Sequence, residues 1–183
     1  MTIPPPSAPQ PRSPRSSSTQ STKASTRETG LWAEALVAQW LKQQGWKILQ
    51  QRWHCRWGEL DLVAHQPHRQ ANEATIAFVE VKARSSKSWD LNGRSAITKQ
   101  KQSKLGKAAA LFLAEHPPLM HLPCRFDVAL VQVHPRFAKS NRCDRFSPDS
   151  PSEIIIQLGQ PIGFPSCCLS LQHYIPAAFE LLE

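Results

Sequence analysis

The sequence predicts a single α/β domain built on a mixed β-sheet, and three observations carry that expectation. Two strongly alternating segments, GELDLVA at 58–64 and TIAFVEVKA at 75–83, read as neighbouring strands. Two segments with helical spacing, 31–44 and 97–115, flank them. A third alternating run, RFDVALVQVH at 125–134, follows the second helix. The order helix, three strands, helix, strand, strand suits a layered α/β domain, and 183 residues suit one such domain with a tail.

Each element has its own signal. In 31–44, Leu31, Ala35, Ala38 and Leu41 recur at helical spacing, with Trp32, Leu36 and Trp40 widening the stripe. Thr29 is the expected N-cap and Gly45 the expected stop. Residues 46–53 alternate loosely and read as a strand. The polar stretch 65–74 joins the two clear strands as a hairpin loop. The helix at 97–115 opens with basic residues and closes with the apolar run 108–114. Residues 136–152 are polar and contain proline, so a surface loop is expected, followed by a short strand at 153–158. A Pro/Cys-rich connection leads to a short apolar segment at 174–182.

Residues 1–27 stand apart. They hold six Pro, seven Ser and the cations Arg12, Arg15, Lys23 and Arg27, with no acid. Such a stretch buries too little surface to offset its ordering entropy, so a disordered basic tail is expected before a domain spanning 28–183. The chain carries 22 Lys+Arg against 14 Asp+Glu, a net charge of +8. Without the four tail cations, 18 basic residues still face 14 acidic ones. A surplus of that kind favours an anionic partner, most often nucleic acid. No run is long and apolar enough for a membrane helix, and the N-terminus has no apolar secretory core. Five cysteines without a CxxC pair suggest neither a disulfide framework nor a four-cysteine zinc site, so a cytoplasmic, reducing setting is expected. His54, Cys55, His65 and His68 match no zinc spacing, and no glycine-rich phosphate loop occurs.

The chemistry concentrates in the two clear strands. By strict alternation, Glu59, Asp61 and Val63 share one face, opposite Leu60, Leu62 and Ala64. Phe78, Glu80, Lys82 and Arg84 share a face of the next strand. A solvated sheet face is the plain reading of such a pattern. Charges in the middle of apolar strands, however, must be paired or bound to metal. Asp61 and Glu80 lie 19 residues apart across a hairpin, so their carboxylates can converge. Two convergent oxygen ligands are what Mg²⁺ takes from protein, its other positions going to water and phosphate. Lys82, on the face of Glu80, can then orient water and neutralise charge developing on phosphorus.

This arrangement resembles the PD-(D/E)xK nuclease superfamily. More closely, the chain resembles the YraN family of bacterial endonuclease-like proteins. The matching stretches are GLWAEALVAQWLKQQGWKIL, WGELDLVA, FVEVKARS, AITKQKQSKL, CRFDVALVQV and YIPAAF, in order from Gly30 to Phe179. The resemblance implies a restriction-endonuclease-like mixed β-sheet flanked by helices. It also implies that Asp61 and Glu80 bind Mg²⁺ or Mn²⁺, and that Lys82 is the lysine of the D/E-x-K element. Glu34 matches an acid that Holliday-junction resolvases of this fold place near the metal, against the alternative of a solvent-facing helical Glu. Lys101, Gln102 and Lys104 match a basic element of the family. With Lys107, the lysines form a stripe that either meets phosphates or is simply solvated. Arg125 and Asp127 are expected to pair structurally. Glu59 either supports the site or holds Arg84 or a basic residue of the loop before it. Trp53, Trp57, Arg52 and Arg56 either stack bases or pack the hairpin, and packing is expected.

The function implied is Mg²⁺-dependent hydrolysis of phosphodiester bonds in DNA, with branched or structured DNA among the candidate substrates. The alternatives are a non-catalytic nucleic-acid-binding protein on a nuclease-like scaffold, and an adaptor that works through its basic tail. The intact carboxylate and lysine set favours the nuclease. The expected partner is DNA, with no membrane, and a homodimer is left open.

Overall fold

The computed structural model describes residues 25–67, 74–85, 97–135, 154–165 and 167–180. Helix α1 (Thr26–Gln43) leads into three strands, β1 (Lys47–Cys55), β2 (Gly58–Gln66) and β3 (Thr75–Arg84). Helix α2 (Lys99–Glu115) and a 3₁₀ turn (Pro117–Leu119) carry the chain to β4 (Cys124–Pro135), and two further strands follow, β5 (Ile162–Gly163) and β6 (Cys167–Phe179). The six strands form one sheet in the order β1-β2-β3-β4-β6-β5. The first three pair as an antiparallel meander, whereas β4 joins β3 in parallel because α2 returns the chain to the same end of the sheet. β6 closes on β4 antiparallel. This is the mixed α/β sheet the sequence predicts, consistent with a restriction-endonuclease-like fold.

Each face of the sheet carries a helix. α1 buries Leu36, Val37 and Leu41 against Leu62, Val79, Val131, Leu169 and Leu171. α2 buries Leu105 and Phe112 against Val63, Ile76, Phe78, Phe126 and Leu130. Phe78 stacks on Phe126 and meets Phe112 edge-on, which fixes α2 over the middle strands. No described helix is long and apolar enough to cross a membrane.

The helix ends show local chemistry at work. α1 ends where Gly45 takes φ +84, its N–H donating to the Lys42 carbonyl and that of Trp46 to the Leu41 carbonyl. That paired ending favours glycine, and it bears out the predicted stop. The start differs from expectation. Ser25 caps the helix by accepting from the Glu28 N–H, one turn before Thr29, so the helix takes in Thr26 and Arg27. Thr29 instead donates its hydroxyl to the Ser25 carbonyl. Residues 1–24, most of the expected tail, lie outside the described residues, as do 68–73 of the hairpin loop and the loop expected at 136–152.

Two further expectations are corrected. Residues 154–157 do not form a strand. The Gln43 side chain donates to the Ile154 carbonyl (2.6 Å) and accepts from the Ile156 N–H (3.0 Å), supplying the partners a neighbouring strand would offer. The apolar stretch expected only from 174 belongs to a 13-residue strand that begins at Cys167.

Candidate functional site: a carboxylate and lysine cluster where two strands part

β2 and β3 are paired from Gln66–Thr75 as far as Leu62–Val79. The same register would next place Asp61 opposite Glu80, and there the ladder stops. The Asp61 carboxylate instead accepts the Val81 N–H at 2.7 Å, standing in for a backbone acceptor at the fork. On the other side of Asp61, Arg52 of β1 holds φ +52, between the pairs Gln51–Leu62 and Trp53–Leu60. The expected alternation fails at this point. Leu60 packs with Val63 in the α2 layer, while Leu62 and Ala64 pack in the α1 layer. Leu60 therefore does not share a face with Leu62, and the irregular backbone beside Asp61 is the reason.

Glu80 is only 4 % exposed. Its Oε1 meets two ammonium groups, Lys82 Nζ at 2.6 Å and Lys101 Nζ at 3.2 Å. Its Oε2 is buried and, among the described residues, has no hydrogen-bond partner. Lys82 comes from the same strand, two residues on. Lys101 comes from the first turn of α2, which contains no acid. A cation in that turn opposes the helix dipole, so its placement has a cost that Glu80 offsets. That unfavourable position was the available sequence signal that Lys101 belongs to the carboxylate cluster and is more than part of a surface stripe. Gln102 is directed elsewhere, its side-chain amide donating to the Ile97 carbonyl. Lys104 and Lys107 lie on the exposed side of α2.

Glu34 approaches from α1, its side chain 15 % exposed, 3.5 Å from Arg52 Nε. It is not the solvent-facing helical Glu of the plain reading. Arg52 itself holds Glu59 at 2.6 Å, and His54 Nε2 lies 3.2 Å from the same oxygen. Glu59 thus pairs with the preceding strand. Arg52, absent from the predicted set, links Glu34 to Glu59.

The electrostatics show carboxylates short of positive charge. Burial, then the neighbouring Glu80, pushes Asp61 up from 3.8 to about 6. Burial, then Asp61, pushes Glu34 up to about 7, although Arg52 opposes the rise. Among the described residues, no three His, Cys, Asp or Glu side chains form a complete metal cage. A hard cation such as Mg²⁺ needs only one or two carboxylates and keeps several waters. The donors are all oxygens, one of them is buried without a partner, and two acids nearby resist ionisation. This set fits such an ion.

A second buried acid offers a contrast. Asp127 is 0 % exposed, and its oxygens accept from Arg125 Nε (3.0 and 3.1 Å), the Tyr174 hydroxyl (2.6 Å) and the Ala177 N–H (2.9 Å). Burial, then Asp127, raises the Tyr174 phenol well above its ordinary range. Every requirement of Asp127 is met internally, as a structural carboxylate demands. β4 lies inside the sheet, so this pair ties the central strand to β6. Trp53 packs edge-on to Phe112, as expected for the hairpin.

Comparison with known proteins points to one family. The profile described as "Uncharacterised protein family UPF0102" matches residues 33–131, which include Glu34, Asp61, Glu80, Lys82 and Lys101. A UPF0102 protein of Acaryochloris marina is 40 % identical over 193 residues, covering 98 % of this chain and 100 % of its own length. One from Trichodesmium erythraeum is 40 % identical over 159 residues, 83 % of this chain and 88 % of the relative. One from Synechococcus sp. is 50 % identical over 113 residues, 62 % and 82 % of the two chains.

Proposed function

The chain belongs to the UPF0102 (YraN) family, and from its carboxylate and lysine cluster we propose that it is a divalent-metal-dependent nuclease acting on DNA. The observation that carries this reading is Glu80, a buried carboxylate with two lysines on one oxygen and nothing on the other. A purely structural acid would be satisfied, as Asp127 is. Asp61 and Glu80 are the residues that would hold Mg²⁺ or Mn²⁺. When bound, such an ion supplies Lewis-acid polarisation of a phosphoryl oxygen and lowers the pKa of water.

The remaining work falls to the chain's own groups. Glu80 aims the Lys82 ammonium into the fork, where it orients the attacking water and balances charge growing on the phosphoryl oxygens. Lys101 adds a second cation at the same point and steadies the phosphate as it enters. Glu34, pushed up to about 7, is suited to hold or release a proton near neutral pH. Lys104, exposed on α2, offers a backbone phosphate contact outside the fork.

One observation favours a second reading. The two lysines already neutralise Glu80 Oε1, so the scaffold can rest without metal and bind nucleic acid without cutting it. Incubation with single-stranded, duplex, flapped and branched DNAs, with and without Mg²⁺ or Mn²⁺, separates the two. The nuclease reading requires metal-dependent cleavage of at least one DNA by the wild type and none by Asp61→Ala. Binding without cleavage under every condition would replace it with the second reading.

A further inference from the structure

Beyond the carboxylate fork, the β1–β2 turn carries a second cluster with a defined geometry. Trp57, half-buried in that turn, has the Arg56 guanidinium 5.1 Å and the Lys107 ammonium 4.6 Å from its ring centroid. Arg56 and Lys107 are both exposed, and among the described residues no carboxylate pairs with either. Two cations gathered on one indole repel each other, and an anion between them removes that cost. A simple staple between helix and turn would need only one of them.

The position relative to the fork is set by two elements. Lys107 lies six residues along α2 from Lys101, which touches Glu80, a rise of about 9 Å. Trp57 precedes Asp61 by four residues along the hairpin, about 13 Å of extended chain. Successive phosphates of one strand rise by about 3.4 Å along the duplex axis and turn about it as well, so the cluster stands about two phosphates from the fork. Lys104 lies between the two points on α2.

We infer that Arg56, Trp57 and Lys107 form a second docking point for the DNA strand whose phosphodiester enters the carboxylate fork. A backbone phosphate seats between the two cations, and the indole packs against the adjoining sugar or base. This docking point rests on the nuclease reading for its partner, but it is read out by binding and not by cleavage. It sets how far along the strand the protein grips, and hence the shortest DNA it holds well.

The test measures binding of labelled single-stranded DNAs of 2 and 12 nucleotides, and of a 12-base-pair duplex, by fluorescence anisotropy, in chelator, across a salt series. Wild type is compared with Arg56→Gln/Lys107→Gln and with Trp57→Leu, which fills the space without an aromatic face. Wild type should hold the 12-nucleotide DNAs more tightly than the dinucleotide, whose single phosphate cannot reach both points. The double variant should lose most of that advantage, and the slope of log affinity against log salt should shrink by about 0.7 to 0.9 for the one phosphate given up. Trp57→Leu should weaken binding roughly 5- to 150-fold if a base stacks there.

Wild-type slope and length dependence in the double variant would overturn the docking point, whatever the cleavage assay shows. So would a lowered thermal midpoint with unchanged affinity per folded molecule, which is the signature of a staple. Absence of any DNA binding by the wild type would overturn it too. Loss of binding in the variants alongside a wild type that never cleaves would support the docking point and reject only the nuclease reading.

Discussion

Replacing Asp61 with Asn should stabilise the metal-free protein, by an amount that grows between about pH 4 and pH 6 and stays level above. Burial and Glu80 raise the folded-state pKa of Asp61 from 3.8 to about 6. The unfolded chain ionises at the ordinary value. Below about pH 4 both states carry the proton and nothing is lost. Between about pH 4 and pH 6 the unfolded chain has lost this proton and the folded state still holds it, so wild-type stability falls across that window and levels off above it. At roughly 1.4 kcal/mol per pH unit, the full cost at pH 8 is about 3 kcal/mol, an upper bound for a site open to some solvent. Asparagine keeps the shape and an oxygen for the Val81 N–H, and it removes the charge. For a chain of this size 1 kcal/mol moves the midpoint by about 2–4 °C, so a gain of up to about 10 °C is expected at pH 8. Roughly a third of that gain is expected at pH 4.5, and most of it is present by pH 6. Thermal melts of both proteins in chelator at pH 4.5, 6 and 8 measure it. A gain independent of pH, or a loss at pH 8, would refute the idea that Asp61 is held as an unbalanced carboxylate.

Other perturbations separate function from architecture. Lys82→Met should leave metal uptake intact and lower cleavage by roughly 10²–10³-fold, because Lys101 still covers Glu80 Oε1; a destabilised variant with an unchanged rate per folded molecule would deny Lys82 its role. Asp127→Ala should cost about 3–5 kcal/mol in denaturant melts, since it strands Arg125 and the Tyr174 hydroxyl, without changing metal affinity. Removing residues 1–24 should leave the thermal midpoint unchanged and reduce the salt dependence of DNA binding. Removing 1–27 should cost a further ~1 kcal/mol, because Ser25 caps α1.

What was legible in the sequence follows the regularity of the backbone. The strands holding Asp61 and Glu80 alternate strictly enough to be read, and both helices follow from spacing and, for α1, from Gly45. β6 was legible only in part. Its CCLSLQHYIPAAF alternates poorly, the pairing shifts between Leu130 and Val131, and Ala177 adopts φ +46. No local pattern announces a strand held together by its neighbour. Within the site, Asp61, Glu80 and Lys82 could be read because two strands in a hairpin bring them together. The approach of Glu34 and Lys101 depends on where each helix lands on its face of the sheet, which is a tertiary outcome. The link that Arg52 makes between Glu34 and Glu59 could not be read, because it rests on a left-handed backbone that an arginine seldom adopts. The same irregularity moved Leu60 out of the face that strict alternation assigns it.

A nuclease of this kind requires the carboxylates at the fork to take up a hard cation, and a calorimetric titration of Mn²⁺ into the wild type and Glu80→Gln tests this most directly. The prediction is uptake by the wild type at up to millimolar Mn²⁺ that is lost or severely weakened in the variant. No uptake by the wild type, or equal uptake by Glu80→Gln, would contradict it.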